Sequence, residues 1–459
     1  MGRVKRKVPR ASPRVVVVGL GYIGIPTAAM IALHGDAVLG VDIQQKVLDA
    51  IRNGNVPVRE RDLTAILRDA IRSGRLRVSS KPEEAEYFVI CVPTPKAGHV
   101  ADLSMVKAAT KSIVPYLRRG STVILESTVP PGTSSEIVLP ILEKGGLRAG
   151  TDFYLAYCPE RVLPGTIIRE IAENDRIIGG IDSKSAEKAR ELYAKFVTGR
   201  IHLTDLNTAE FVKLAENAFR DVNVAFANEL AALAEAHGVD VWEAIELANH
   251  HPRVHILRPG PGVGGHCIAV DPWFLLHPKV RAKVIPSARA VNDERPAAVV
   301  GKILRLMNRN ARPKVAVFGV AFKGNADDIR ESPAIKVIDA LRAKKILVAV
   351  YDPLVPNEVY PTQSIEDTLE GADCIAILTD HRDFAYLDPE LVAERVRRRV
   401  LFDARHCVDH ARWSDSGFVV HVLGDANQGK NPSRPTTRGA SDRSDAPSQQ
   451  TLHQNVAPN

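Results

Sequence analysis

The chain has 459 residues, a formal net charge of +7, and 45% hydrophobic against 25% charged residues. That length exceeds one ordinary core, so two or three domains of a soluble globular protein are expected. Positive charge gathers in a basic arm over residues 1–13, but no helix-turn-helix, zinc finger or aromatic-basic RNA motif follows, which argues against a nucleic-acid partner. Cys91, Cys158, Cys267, Cys374 and Cys407 are odd in number and widely spaced. They form no CxxC pair, so a disulfide framework and a structural metal are not expected, and a reducing, cytoplasmic compartment is.

In chain order, the β-branched run 15–18 reads as a buried parallel strand. The uncharged residues 15–33 also resemble a membrane helix. Glycines at 19, 21 and 24, with Pro26 just inside the next helix, favour strand, turn and helix with no membrane span. Gly19-Leu20-Gly21-Tyr22-Ile23-Gly24 is a GxGxxG between that strand and a helix over 25–34. Its glycines permit a tight turn and close approach to a pyrophosphate. A second strand, 37–41, ends at Asp42, placed to bind a ribose 2′-hydroxyl and to repel a 2′-phosphate. Gly19, Gly21, Tyr22, Ile23, Gly24 and Asp42 are therefore candidate contacts for NAD rather than NADP.

Strands over 88–92 and 122–126 feed loops stiffened by proline, where Thr94 and Thr128 either offer hydroxyls to the cofactor or simply turn the chain. A strand over 154–158 precedes Pro159-Glu160-Arg161. Glu160 is a general acid or base near a reacting carbon, or half of a surface ion pair. The alternation implies a doubly wound parallel sheet over 14–200.

Residues 205–237 hold no Gly or Pro, and Phe211, Leu214, Ala215, Ala218, Phe219 and Val222 recur at helical spacing. This predicts a helix of about 45 Å, the spine of a helical domain over 201–312, along which a homodimer is expected. Lys213 and Asn217 lie one turn apart on one face, able to hold an oxyanion or simply to meet solvent. The Gly-rich loop 262–274 carries Cys267, with Asp271 four positions on. Beside a nicotinamide cofactor, such a thiol suggests a particular chemistry. An alcohol loses one hydride to give an aldehyde. A second hydride leaves only after a nucleophile restores a tetrahedral carbon, and the resulting thioester hydrolyses to an acid. A second α/β unit fills 313–424, with strands over 314–319, 347–351, 374–378 and 400–403. Lys323 and Arg330 follow its first strand, where an anionic ligand is expected unless Asp327, Asp328 or Glu331 pairs with them. The polar segment 425–459 reads as disordered.

With these motifs in order, residues 14–424 resemble the nucleotide-sugar 6-dehydrogenases, the family of UDP-glucose and UDP-N-acetylmannosamine dehydrogenases. Residues 261–274 are most similar to the UDP-N-acetyl-D-mannosamine branch; the UDP-glucose branch typically has Ser where His266 stands and Lys where Val270 stands. The resemblance implies an α/β fold of two Rossmann-like parallel-sheet domains joined by a helical domain with a long central helix. It implies NAD, no metal, and a UDP-sugar held by the last domain. Cys267 would form the thiohemiacetal and thioester, Lys213 and Asn217 would stabilise the oxyanion, Asp271 would support them, and Glu160 would assist hydrolysis. Glu160, Arg161, Lys213, Asn217, Arg253, Gly264, His266 and Lys323 would contact substrate, and Arg330 the cofactor. Arg253 would reach the sugar of a neighbouring subunit. The implied substrate is UDP-N-acetyl-D-mannosamine, with UDP-GlcNAc and UDP-glucose as alternatives. A two-electron β-hydroxyacid-type dehydrogenase would leave Cys267 and the last domain without a task, and a non-catalytic nucleotide-binding protein would leave the whole catalytic set so.

Overall fold

Four consecutive valines, Val15–Val18, form β1 and are buried on both faces, as the central strand of a parallel sheet requires. The computed structural model describes residues 12–55, 60, 62–162, 165–265, 267–307 and 312–426. The arm to residue 11, His266 and the segment from 427 lie outside the described residues. The sheet continues with β2 (Val38–Val41), β3 (Leu76–Ser79), β4 (Tyr87–Ile90), β5 (Thr122–Leu125), β6 (Tyr154–Tyr157), β7 (Arg176–Gly180) and β8 (Ile201–Asp205). Its order is β8-β7-β6-β5-β4-β1-β2-β3, parallel except for the antiparallel pair β6–β7. Because β1 lies between β2 and β4, the order reverses there, and a ligand crevice opens beyond the strands' carboxyl ends.

Helix α1 (Gly24–Leu33) follows β1 and is buried along nearly its whole length. The uncharged run of residues 15–33 is thus a core strand and a core helix. Among the described residues no helix is long and apolar enough to cross a membrane. The sheet runs on to Asp205, beyond the boundary expected at 200.

Helix α2 (Leu206–His237) has 32 residues. Asp205 caps its start by accepting from the Thr208 N–H at 2.9 Å, and Gly238, with φ 74°, ends it. Helix α3 (Val284–Leu306) packs alongside. Buried polar groups join the two: Arg289 Nη1 donates to Asp221 Oδ1 at 2.6 Å, and Asn292 Nδ2 to the same oxygen at 2.8 Å. On its outer face α2 leaves Phe211, Phe219, Phe226 and Leu233 exposed.

A second sheet contains β9 (Lys314–Phe318), β10 (Leu347–Tyr351), β11 (Cys374–Ile377), β12 (Val400–Asp403) and β13 (Val419–Val422), all parallel, in the order β10-β9-β11-β12-β13. The molecule is therefore α/β, with two Rossmann-like sheets joined by a helical region.

Candidate active site

Sterics explain the first glycine turn. Gly19 has φ +95°, and a Cβ there would lie 2.7 Å from the Cys91 carbonyl oxygen. A Cβ on Gly24 would lie 1.8 Å from the Gly19 carbonyl oxygen. At Gly21 a Cβ would meet nothing within 4 Å, so the middle glycine borders open space at the start of α1. Asp42 braces the turn, its carboxylate accepting from the Leu20 and Gln44 N–H groups at 2.8 Å each. The Thr94 hydroxyl is buried without a hydrogen-bond partner. A free cradle at a helix N-terminus and an unsatisfied buried hydroxyl fit a dinucleotide.

Beyond the turn lies a cleft bordered by Gly21, Tyr22, Ile23, Thr94, Thr128, Glu160, Lys213, Cys267, Asp271 and Arg330. These residues come from all three regions of the chain. Cys267 is exposed toward the cleft. Protein encloses it on its other sides. That burial pushes the thiol up from its ordinary range, helped by the charge of Asp271 and opposed by Lys213, Arg330 and Arg220. Asp271 begins a short helix, Asp271–Phe274, and its backbone N–H donates to the Cys267 carbonyl at 2.8 Å. Burial lifts its carboxyl from 3.8 to about 6, against the pull of Lys213 and of Asn217, whose Nδ2 donates to Oδ2 at 2.6 Å. Lys213 and Asn217 are both buried on the inner face of α2.

Glu160 follows β6 and is buried. Its Oε1 accepts from the Arg161 N–H at 2.8 Å and its Oε2 from Arg176 Nη2 at 2.9 Å. Arg330 pairs with Asp328, Nη2 to Oδ2 at 2.5 Å, and its guanidinium lies 5.6 Å from the centre of the Tyr22 ring. It thereby ties the last domain to the glycine turn of the first. Among the described residues no group of three His, Cys, Asp or Glu could hold a metal ion.

Residues 13–197, 207–294 and 316–410 match, in turn, the NAD-binding, central and UDP-binding domains of the UDP-glucose/GDP-mannose dehydrogenase family. The chain belongs to this family. It is thus an NAD-dependent oxidoreductase with the cofactor domain first and the UDP-binding domain last. It is 48% identical over 425 residues to a UDP-N-acetyl-D-mannosamine dehydrogenase of Methanocaldococcus jannaschii, covering 91% of this chain and 97% of that one. Over 408 residues it is 44% identical to an NDP-N-acetyl-D-galactosaminuronic acid dehydrogenase of Ralstonia nicotianae, covering 85% and 95%. The solved UDP-D-ManNAc dehydrogenase of Pyrococcus horikoshii superposes with TM-score 0.86 at 42% identity, covering 90% of this chain and all of that one.

Several residues expected to touch ligand in this dehydrogenase stand elsewhere. Arg161 does not border the cleft: Nη1 pairs with Glu216 at 2.5 Å and Nη2 with the Asp175 carbonyl. Gly264 is a packing glycine, since a Cβ there would lie 2.6 Å from Phe322 Cβ and 2.8 Å from the Glu331 carbonyl. With the Gly265 N–H donating to the Arg330 carbonyl at 2.9 Å, it docks the cysteine loop on the UDP-binding domain. Arg253 is exposed and also outside the cleft of its own chain. Lys323 is half-buried, and desolvation holds its amine below the usual lysine range while Glu170, Asp380 and Glu60 oppose and Arg220 assists. Its neighbours therefore span all three domains. His266 lies outside the described residues.

Residues the sequence reading did not single out stand beneath the cleft. Cys91, Glu126 and Cys158 follow β4, β5 and β6 in adjacent register, and Cys91 and Glu126 also border the cleft. A lone charge just after an apolar strand was the available signal at Glu126. Arg176, at the start of the unanticipated strand β7, had none.

Proposed function

We propose that the enzyme oxidises C6 of UDP-N-acetyl-D-mannosamine to the carboxylate in two hydride transfers, with Cys267 as covalent nucleophile. The observation that carries this reading is a thiol open to the same cleft as the glycine turn, Lys213 and Glu160. Gly19, Gly21, Gly24, Asp42, Thr94, Thr128 and Arg330 would hold NAD, which when bound accepts the hydride. As the C6 hydroxyl gives up its proton, the Lys213 ammonium and the Asn217 amide stabilise the negative charge growing on its oxygen. The Cys267 sulfur bonds to the aldehyde carbon and gives up its proton, restoring a tetrahedral carbon that still carries hydrogen. Loss of that hydrogen as hydride leaves a thioester. Water then adds to the thioester carbon as Glu160 takes its proton. The C–S bond breaks, its electron pair leaving on sulfur, which regains a proton. The acid ionises, so each sugar yields two NADH and three protons.

The exposed phenylalanine stripe of α2 supports a homodimer along that helix, and exposed Arg253 would then complete the partner's site. Lys323 would supply positive charge for the UDP diphosphate, leaving Arg330 to the coenzyme. Five unpaired cysteines support a cytoplasmic setting.

UDP-GlcNAc and UDP-glucose are the competing sugars, and a substrate panel decides among the three. UDP-N-acetyl-D-mannosamine should release two NADH per sugar with no free aldehyde, well ahead of UDP-GlcNAc and UDP-glucose. Cys267→Ser should yield no uronate. Uronate from that variant at the normal rate would overturn the covalent route, and a faster UDP-GlcNAc or UDP-glucose turnover would overturn the sugar assignment.

A further inference from the structure

Glu160 is held by an arginine that is not its chain neighbour. Arg176 enters from antiparallel β7, its side chain only 5% exposed, and reaches under β6 to Glu160 Oε2 at 2.9 Å. Its Nη1 points at Cys158 Sγ at 3.7 Å, and its Nε has no hydrogen-bond partner. The guanidinium lies 4.8 Å from the centre of the Tyr193 ring, a packing that restricts its plane. Behind it stands a second buried carboxyl, Glu126, accepting from Tyr193 Oη at 2.5 Å, Cys91 Sγ at 2.9 Å and Thr27 Oγ1 at 3.4 Å. One cation is therefore packed with two largely buried acids. With both acids ionised the group would carry one uncompensated negative charge, at a large desolvation cost. Of the two acids only Glu160 has an ion-paired hydrogen bond to Arg176, whereas Glu126 accepts from neutral donors. Burial raises the Glu126 carboxyl, Arg176 lowers it, Glu160 raises it further, and the hydrogen bonds from Cys91 and Tyr193 lower it.

We propose that Arg176 is the positioning residue of thioester hydrolysis: it aims the Glu160 carboxylate and supplies its counter-charge, while the Tyr193 ring, whose hydroxyl donates to Glu126, packs against the guanidinium. This rests on the reading of Glu160 as the group that takes the proton from the attacking water. In that step the water oxygen bonds to the thioester carbon, one water proton passes to Glu160, and the carbon–sulfur bond breaks with its electron pair on sulfur. Arg176 touches neither sugar nor thioester, so it acts only through Glu160. The two hydride transfers do not require it.

The test separates the half-reactions in Arg176→Met, Arg176→Lys and Glu160→Gln, all with NAD and UDP-N-acetyl-D-mannosamine. Rapid mixing reads the NADH burst, intact-protein mass reads acyl-enzyme, and steady-state rates are taken across pH. In Arg176→Met the burst should keep its size and rate, turnover should fall at least tenfold, and protein carrying the uronyl thioester should accumulate. Its acid limb should move to higher pH, since loss of a neighbouring cation favours the neutral carboxyl. Arg176→Lys should lower turnover less, with the acid limb unmoved, because charge is kept while the planar fork is lost. If Arg176→Met fails to fold, Arg176→Lys decides: turnover at the normal rate overturns the proposal. So does an equal loss of burst and turnover in either variant. Glu160→Gln tells the two failures apart. Should it accumulate no thioester, the reading of Glu160 falls; should it accumulate thioester while the Arg176 variants do not, only the role of Arg176 falls.

Discussion

Replacing Asp271 with Asn should stabilise the protein at neutral pH while damaging catalysis. Asp271 is 3% exposed, and its carboxyl is raised from 3.8 in the unfolded chain to about 6 in the fold, mainly by burial. Below about pH 4 both states hold the proton and ionisation contributes nothing. Between about pH 4 and 6 the folded chain keeps a proton that the unfolded chain has released, so stability falls as pH rises. At 1.36 kcal/mol per pKa unit the loss reaches about 3 kcal/mol and is complete above pH 6. Asn cannot ionise. The advantage of Asp271→Asn over the parent should therefore climb by up to about 3 kcal/mol between pH 4 and pH 6 and then level off. Any fixed offset from the altered bond to Asn217 leaves that slope untouched. Urea unfolding of coenzyme-free protein at constant protein concentration, from pH 4 to pH 8, measures it. A difference that is flat with pH, or that falls, refutes the reasoning. The same substitution removes a charge that raises the Cys267 thiol, so iodoacetamide should alkylate Cys267 faster at pH 7 than in the parent.

Gly24→Ala should cripple folding or coenzyme binding, since its methyl would sit 1.8 Å from a backbone oxygen, whereas Gly21→Ala should fold normally and weaken NAD binding. Thermal melts and NAD titration tell these apart, and normal NAD affinity in Gly21→Ala would contradict the cradle reading. Arg289→Met leaves Asp221 buried and uncompensated, which should cost about 3–5 kcal/mol, recovered in large part by adding Asp221→Leu; urea unfolding measures both. Phe219→Glu with Phe226→Glu should halve the mass measured by light scattering to the 50.0 kDa of one chain. A parent protein already at that mass would remove the dimer from the proposal.

The glycine turn was legible because its spacing is written in a short run, with Gly24 pressing on the Gly19 carbonyl of the same turn, although the Cys91 carbonyl that Gly19 meets comes from the end of a neighbouring strand. The long helix was legible for a similar reason, since an Asp cap, an unbroken run and a Gly stop are all written in order. Strands β7 and β8 were not. One opens on Arg and closes on Gly-Gly, and the other lies at the sheet edge with mostly exposed side chains, so neither carries an apolar run. Glu160 shows the limit for sites. Reading along the chain offers Arg161 as its partner, but that side chain turns to Glu216, and the guanidinium on Glu160 arrives sixteen residues later from a strand running the other way. The packing of Gly264 against Phe322 and the Glu331 carbonyl was not legible, because a glycine that admits a substrate and one that admits a neighbouring domain look alike in sequence.

The loop bearing Cys267 is a junction. Its glycines press on Phe322 and Pro333 of the last domain, Val270 and Phe274 pack with Leu214 of the spine, and Trp273 lies tilted against His99, in the short hairpin of Lys96–Ala97 and Val100–Ala101 in the first domain, ring centres 3.7 Å apart. No single domain therefore owns the reaction. A fragment cut after residue 205 could keep a coenzyme cradle yet have no nucleophile to use beside it, and the remainder would hold the thiol without an oxidant. Turnover regained on mixing two such halves would report their docking as directly as any structural probe.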